Sequence, residues 1–179
     1  MSLVGCPGSG KTRTAQRLSA LLDVPRVELD AIHHLPGWQP IERDEFRRRV
    51  AEVCTGDGWV IDGNYSAVRD LVLARADTVV FLDLPRAVVM WHLARRSVRR
   101  MRSGEELWNG NREEWRRFLS FRRDENILRW AWSAYPKYRR RHLELVADPS
   151  MAHIRVARLR SHREIDVWLA NVGSFTGPC

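Results

Sequence analysis

A length of 179 residues with 44% hydrophobic content suits a single compact domain, 1–179, with room for a real core and a small inserted segment. No apolar run reaches about 18 residues, which excludes a membrane-spanning helix. The formal charge of +8 comes from 28 Arg and only two Lys, Lys11 and Lys137, and it is concentrated: 86–142 holds 15 Arg and one Lys against six acids, net +10, leaving −2 elsewhere. Such a segment attracts polyanions, whether a bound triphosphate, a phosphorylated substrate or nucleic acid.

The chain then alternates strand and helix. Leu3-Val4 ends a first strand, short because only four residues precede Gly5. Lys11 to Leu22 is a helix with Ala15, Leu18 and Leu22 on one face. Arg26 to Leu29 is a strand after Pro25, and Asp44 to Val53 a helix carrying Phe46, Val50 and Val53 at helical spacing. Gly58 to Ile61 is a strand, and Ser66 is placed to cap a helix bearing Val68, Leu71 and Val72. Thr78 to Leu82 is a continuous apolar run of buried-strand length, and Pro85 opens a long helix to about Met101. Ser103 to Asn111 is dense in turn formers and reads as a loop. Helical stretches at Arg112–Phe121 and Glu125–Val146 follow, the second interrupted at Pro136, then a strand His153–Leu159 and a helix His162–Ala170. This rhythm predicts an α/β fold: a parallel sheet covered on both faces. The Arg-rich helical segment between the fourth and fifth strands, 102–146, breaks the rhythm and reads as a lid insertion.

The chemistry starts at Gly5-Cys6-Pro7-Gly8-Ser9-Gly10-Lys11-Thr12, a complete G-x-x-x-x-G-K-[ST] phosphate loop with a strand before it and a helix after it. Glycines let the backbone wrap phosphates with its N–H groups pointing inward, and the helix start adds a positive dipole. Gly5, Pro7, Gly8, Ser9, Gly10, Lys11, Thr12 and the adjacent Arg13 are therefore the nucleotide-binding candidates. Lys11 is expected to reach the β- and γ-phosphates and the Thr12 hydroxyl to ligate Mg²⁺, so the cofactors expected are ATP and Mg²⁺.

Three aspartates, Asp30, Asp62 and Asp83, fall at strand ends, where open α/β sheets bind ligands. Phosphoryl transfer asks for one carboxylate at the metal and another to take the acceptor's proton. Asp62 is assigned to the metal with Thr12, Asp30 to the base, and Asp83 to a structural role at the start of the Pro85 helix. His33, beside His34, is read as a substrate contact and not a metal ligand, because no third ligand is spaced to match. Cys6 fills a permissive loop position. Arg95, Arg99 and Arg102 share a helix face, and Arg95 and Arg99 are the candidates for stabilising the transferring phosphoryl group. Cys6, Cys54 and Cys179 form no C-x-x-C pair, and the loop at Gly5 leaves no room for a signal peptide. The expectation is a cytoplasmic protein, monomer or homodimer, off the membrane.

On these residues the sequence resembles the P-loop kinases of the adenylate-kinase-like group, and in particular the small bacterial DNA topology modulation proteins. The motifs that carry the resemblance are G-C-P-G-S-G-K-T, L-D-A-I-H-H-L-P-G-W (29–38), W-V-I-D-G-N-Y (59–65), F-L-D-L-P (81–85) and L-W-N-G-N-R-E (107–113). It implies a P-loop fold with a five-stranded parallel sheet, order 2-3-1-4-5, flanked by helices and carrying an Arg-bearing lid. D-G-N-Y resembles the acceptor-site D-G motif of adenylate kinases, which makes Asn64 and Tyr65 substrate candidates. The Pro-Arg that follows that motif in adenylate kinases is missing here; Arg69 is the nearest basic residue, which counts against AMP as acceptor. The favoured reading is a kinase acting on an unidentified small molecule. The alternative is a regulatory ATP-binding protein or ATPase whose basic segment grips nucleic acid.

Overall fold

The computed structural model describes residues 1–119 and 126–175. Five parallel strands form the sheet: β1 (Ser2–Gly5), β2 (Arg26–Glu28), β5 (Val60–Asp62), β6 (Thr78–Leu82) and β7 (Arg155–Leu159), in the order β2-β5-β1-β6-β7. Counting main-sheet strands alone, this is 2-3-1-4-5. Ser2 is buried and pairs with both Ile61 and Val79, so β1 begins one residue before the apolar pair Leu3-Val4.

Strand alternation explains how so short a sheet organises two core layers. Leu3, Val80 and Leu82 point to one face and meet Ala15 and Leu18 of α1 (Lys11–Leu22), with Ile165 and Leu169 of α8 (His162–Phe175). Val4, Val79 and Phe81 point to the other, against Leu143 and Leu145 of α7 (Ile127–Ala147). Further along that sheet, Ile61 packs with Phe46 and Val50 of α3 (Arg43–Cys54) and Val72 of α4 (Arg69–Arg75). The C-terminal end of the 102–146 segment is thus part of a core layer. Among the described residues, no helix is long and apolar enough to cross a membrane.

Several local expectations are corrected. Asp30 does not end a strand: β2 stops at Glu28, and a short helix, α2 (Leu29–His33), carries Asp30. A small antiparallel pair follows, β3 (His34–Leu35) with β4 (Gln39–Pro40). Ser66 does not cap α4, whose N-cap is Val68. Arg47 holds the Ala67 carbonyl and the Asp70 carboxylate, so the chain turns through 66–68 before the helix can begin. The strand expected at 58–61 sits at Val60–Asp62 and the last strand starts at Arg155.

Pro136 does not break α7. A proline leaves the carbonyl four residues earlier without its helical donor. That carbonyl belongs to Trp132, and Arg86 Nη2 donates to it at 2.5 Å while its guanidinium lies 3.4 Å from the centre of the Trp132 ring. Arg86 opens α5 (Arg86–Ser103), so the defect in one helix is filled by the start of another. The Ser103–Asn111 loop is a loop as expected, although a folded one, with a bridge between Glu106 and Arg112. Among the described residues between it and α7 lies the short α6 (Trp115–Phe118); the stretch 120–125, where one expected helix ends and the next begins, lies outside them.

Candidate active site

The phosphate loop joins β1 to α1 at the carboxyl edge of the sheet. Gly8 has φ 88°, and a Cβ there would stand 2.5 Å from the Val89 carbonyl oxygen, so only glycine lets the loop pass α5. Lys11 folds back over the loop, donating from Nζ to the carbonyls of Gly5 (3.0 Å) and Cys6 (3.2 Å). The Ser9 hydroxyl is buried without a partner. Thr12, at the second position of α1, donates from Oγ1 to Asp62 Oδ2 at 2.7 Å. Arg13, next along, is exposed.

Asp62 is buried at the end of β5, and burial raises its pKa although Lys11 and the Thr12 hydroxyl pull the other way. A desolvated carboxylate next to a hydroxyl oxygen, beside a lysine, is a hard-oxygen donor set that suits Mg²⁺, which takes one or two carboxylates and keeps several waters. The unpartnered Ser9 hydroxyl in the loop fits a phosphate or metal-water contact as well. Among the described residues no group of three or more His, Cys, Asp or Glu gathers as a metal cage.

Asn64 takes a place that its motif did not reveal. Its Oδ1 accepts from the Gly5 N–H at 3.2 Å and its Nδ2 donates to the Gly5 carbonyl at 2.5 Å, so it clamps the start of the phosphate loop. Gly63 lets this happen: with φ 155°, a Cβ there would meet Leu29 Cβ at 2.7 Å. Tyr65 donates from its hydroxyl to Asp30 Oδ1 at 2.5 Å, and burial next to that carboxylate holds the phenol protonated far above its ordinary range. Asp30 Oδ2 makes no hydrogen bond among the described residues. His33 packs on Tyr65 with ring centres 4.4 Å apart; burial and His34 lower its pKa, and its Nδ1 is buried without a partner.

Lys11, Asp30, His33, Asn64 and Tyr65 line one cavity of about 520 Å³, together with Pro7, Gly63 and the residues that close its far side. Those come from α5, the loop after it, Phe118 of α6, and Ile127, Trp130 and Tyr138 of α7, with His34 and Trp38 facing the loop. Trp108 Nε1 donates to Glu28 Oε2 at 2.9 Å, Asn109 Nδ2 to the His34 carbonyl at 2.5 Å, and Asn111 Nδ2 to the Leu35 carbonyl at 3.0 Å. Asn111 Oδ1 accepts from the Trp38 N–H at 2.8 Å. Thus L-W-N-G-N and D-A-I-H-H-L-P-G-W, some 75 residues apart, are the two halves of one docked wall.

The arginines sort by helix phase. α5 buries Val89, Leu93, Ser97 and Met101 against the body, which at about 100° per residue turns Arg95 and Arg99 to the opposite, solvent side. Arg96 and Arg100, beside the buried stripe, line the cavity; neither was singled out from the sequence, and only the burial of their neighbours could have flagged them. Arg100 is paired with Glu113 (3.0 Å) and Glu105 (3.3 Å), and Arg99 lies 3.7 Å from Glu105. Arg69 is half-buried in α4 and lines a small cavity with Val72, Leu73 and His142 that shares Asn64 and Tyr65 with the larger one. Asp83 is structural through a different contact from the helix start: its buried carboxylate pairs with Arg139 of α7 and Arg158 of β7. Cys6 is no activated thiol, since burial pushes its pKa up to about 11.

Comparison with known proteins agrees on architecture. No protein-family model and no curated protein matches the chain. Among solved structures, a gluconokinase from Sinorhizobium meliloti 1021 superposes with a TM-score of 0.51 at 16% identity, over 97% of this chain and 93% of that one. A shikimate kinase from Bacteroides thetaiotaomicron gives the same TM-score of 0.51 and identity of 16%, over 97% and 95%. Fold and phosphate loop together define a protein of P-loop kinase-like architecture. These likenesses are of fold, and neither bears on the narrower resemblance to DNA topology modulation proteins.

Proposed function

We propose that this protein transfers the γ-phosphoryl group of ATP–Mg to a hydroxyl of a small-molecule acceptor. The observation that carries the reading is that Lys11 and Asp30 face one cavity, with the Thr12–Asp62 pair behind the phosphate loop. Lys11 and the loop N–H groups would hold the β- and γ-phosphates; Thr12 and Asp62 would hold Mg²⁺, whose charge offsets that on the phosphates. Asp30 takes the acceptor's hydroxyl proton through its free Oδ2 while Tyr65 fixes its Oδ1. A new acceptor O–P bond forms as the bond from the γ-phosphorus to the bridging oxygen of ADP breaks. Asn64 keeps the loop in register with β5, and Arg96 and Arg100, in place of Arg95 and Arg99, are the arginines positioned to meet charge inside the cavity. Solved structures of this fold titled gluconokinase and shikimate kinase support an acceptor of small-molecule size.

The test is ATP consumption against panels of nucleotides, nucleosides and small hydroxy compounds, with two variants. Lys11→Ala should weaken ATP binding about 10- to 100-fold, the loss of a charged hydrogen bond to phosphate. Asp30→Asn should keep ATP affinity and lower acceptor phosphorylation about 10²- to 10⁴-fold. Undiminished ATP affinity in a folded Lys11→Ala protein, or wild-type turnover in Asp30→Asn, refutes the assignment. A second reading, nucleic-acid binding, draws on the outward-facing Arg95 and Arg99. It requires DNA or RNA binding with a steep salt dependence whether or not ATP is present.

A further inference from the structure

The small cavity that Arg69 lines has a volume of about 20 Å³, room for one particle the size of a water molecule. Three polar side chains line it from three elements that the fold brings together: Ser2 of β1, Arg69 of α4 and His142 of α7. Ser2 is 3% exposed and His142 2%. The Ser2 hydroxyl and the Arg69 guanidinium make no hydrogen bond or ion pair among the described residues. His142 Nδ1 is buried with no hydrogen bond of good geometry, although the Tyr138 carbonyl is near. The other polar groups of the lining are already engaged: Asn64 is taken by Gly5, and the Tyr65 hydroxyl by Asp30. Unsatisfied buried polar groups are rare in folded proteins, and three around one cavity mark it as the place of a ligand.

The sign of the charge around the cavity selects the occupant. No carboxylate lines it. Burial and Arg141 lower the pKa of Arg69, and Lys11, Arg69 and Arg141 all disfavour a charge on His142, so the surroundings are positive. On its outer side Arg69 borders an open groove that Asp70 and Asp148 also line. Asp70 is held there by both terminal nitrogens of Arg47, at 2.8 and 2.7 Å, and Asp148 is exposed. A water molecule would fill the volume and leave the positive charge unchanged. A monovalent anion fills it and offsets that charge, accepting from the Arg69 guanidinium, the Ser2 hydroxyl and the N–H of a neutral imidazole.

We propose that this cavity is a binding site for one halide-sized monovalent anion, chloride in a physiological medium, held by Arg69, Ser2 and His142. The site is distinct from the one that holds Lys11 and Asp30, and it stands whether or not the protein is a kinase. The two cavities share a wall: Asn64, which clamps Gly5, and Tyr65, which holds Asp30, line both. A filled small cavity therefore braces the phosphate loop and Asp30 from behind.

The full chain is titrated with sodium chloride against sodium acetate, whose anion is too large for the cavity, at constant ionic strength while thermal unfolding is followed. Chloride should raise Tm saturably, by about 3–6 °C at ten times its dissociation constant, because it binds the folded state alone. Crystals grown in bromide should show an anomalous scatterer in the cavity, within hydrogen-bond distance of Arg69 and Ser2. Arg69→Gln should abolish the saturable rise. Ser2→Ala, which removes one donor and little packing, should weaken halide binding about tenfold and serves if the glutamine variant does not fold. Inorganic anions also bind phosphate loops, so the titration is repeated in Lys11→Ala, where the rise should persist. A rise that survives Arg69→Gln, a bromide peak at the phosphate loop and none in the cavity, or coincident chloride and acetate curves overturns the proposal; in the last case a water molecule fills the cavity.

Discussion

Asp83→Asn separates the structural carboxylate from the two assigned to chemistry. The Asp83 side chain is 3% exposed; Arg139 Nε meets its Oδ1 at 2.7 Å, and Arg158 Nε meets its Oδ2 at 3.0 Å. Arg139 Nη2 adds a contact at 3.3 Å, and Arg158 Nη2 a closer one. One carboxylate thus ties the end of β6 to α7 and β7. Asparagine removes the charge and turns an amide N–H₂ toward guanidinium donors. Breaking a buried ion pair costs about 3–5 kcal/mol. Both arginines keep some access to water, at 44% and 28% exposure, so the cost belongs at the low end, about 3 kcal/mol. For a chain of this size that lowers Tm by about 6–12 °C. Thermal and urea unfolding measure it, with ATP binding and its Mg²⁺ dependence followed in parallel. Arg158→Gln should cost a similar amount, and the double variant less than the sum, because the two share one interaction. A Tm within about 2 °C of wild type, combined with lost Mg²⁺ dependence, would refute the reasoning and make Asp83 part of the site.

Asp62→Asn should do the reverse. Because burial raises the Asp62 pKa in the folded state, the unfolded chain gives up its proton first, and the protein loses stability as pH rises from about 3.9 through the folded value. Above the folded value the whole cost is present, so at such pH the ligand-free variant should melt above wild type yet lose the extra stabilisation that Mg²⁺ adds to ATP; a lower ligand-free Tm, or an intact Mg²⁺ increment, contradicts this. His142, 2% exposed between Phe81 and Tyr138, has its pKa pushed down to about 4 by burial. Its contribution is full above about pH 6.5 and drains away as pH falls toward 4, about 3 kcal/mol in all. His142→Phe should flatten that limb in urea unfolding at pH 7, 5 and 4, and parallel wild-type and variant curves would rule the residue out.

The sequence by itself determined whatever depends on neighbours within a few residues. Gly5 to Thr12 is legible because wrapping a phosphate needs its glycines, lysine and threonine within one short stretch, whose local geometry no distant contact has to supply. Strand and helix alternation is legible for the same reason, since Thr78–Leu82 and Lys11–Leu22 carry their periodicity with them. Tertiary structure decided whatever depends on a partner far along the chain. Arg95 and Arg96 are indistinguishable as letters; Leu93, Ser97 and Met101 set the phase of α5, and that phase turns one arginine to water and the other into the cavity. Asn64 lines the cavity, but its clamp on Gly5, 59 residues earlier, could not be read from its motif. Pro136 looked like a break until Arg86 supplied the donor for the Trp132 carbonyl. In each case the deciding hydrogen bond or burial joins segments that local propensity cannot see, because it exists only once the sheet has brought them together.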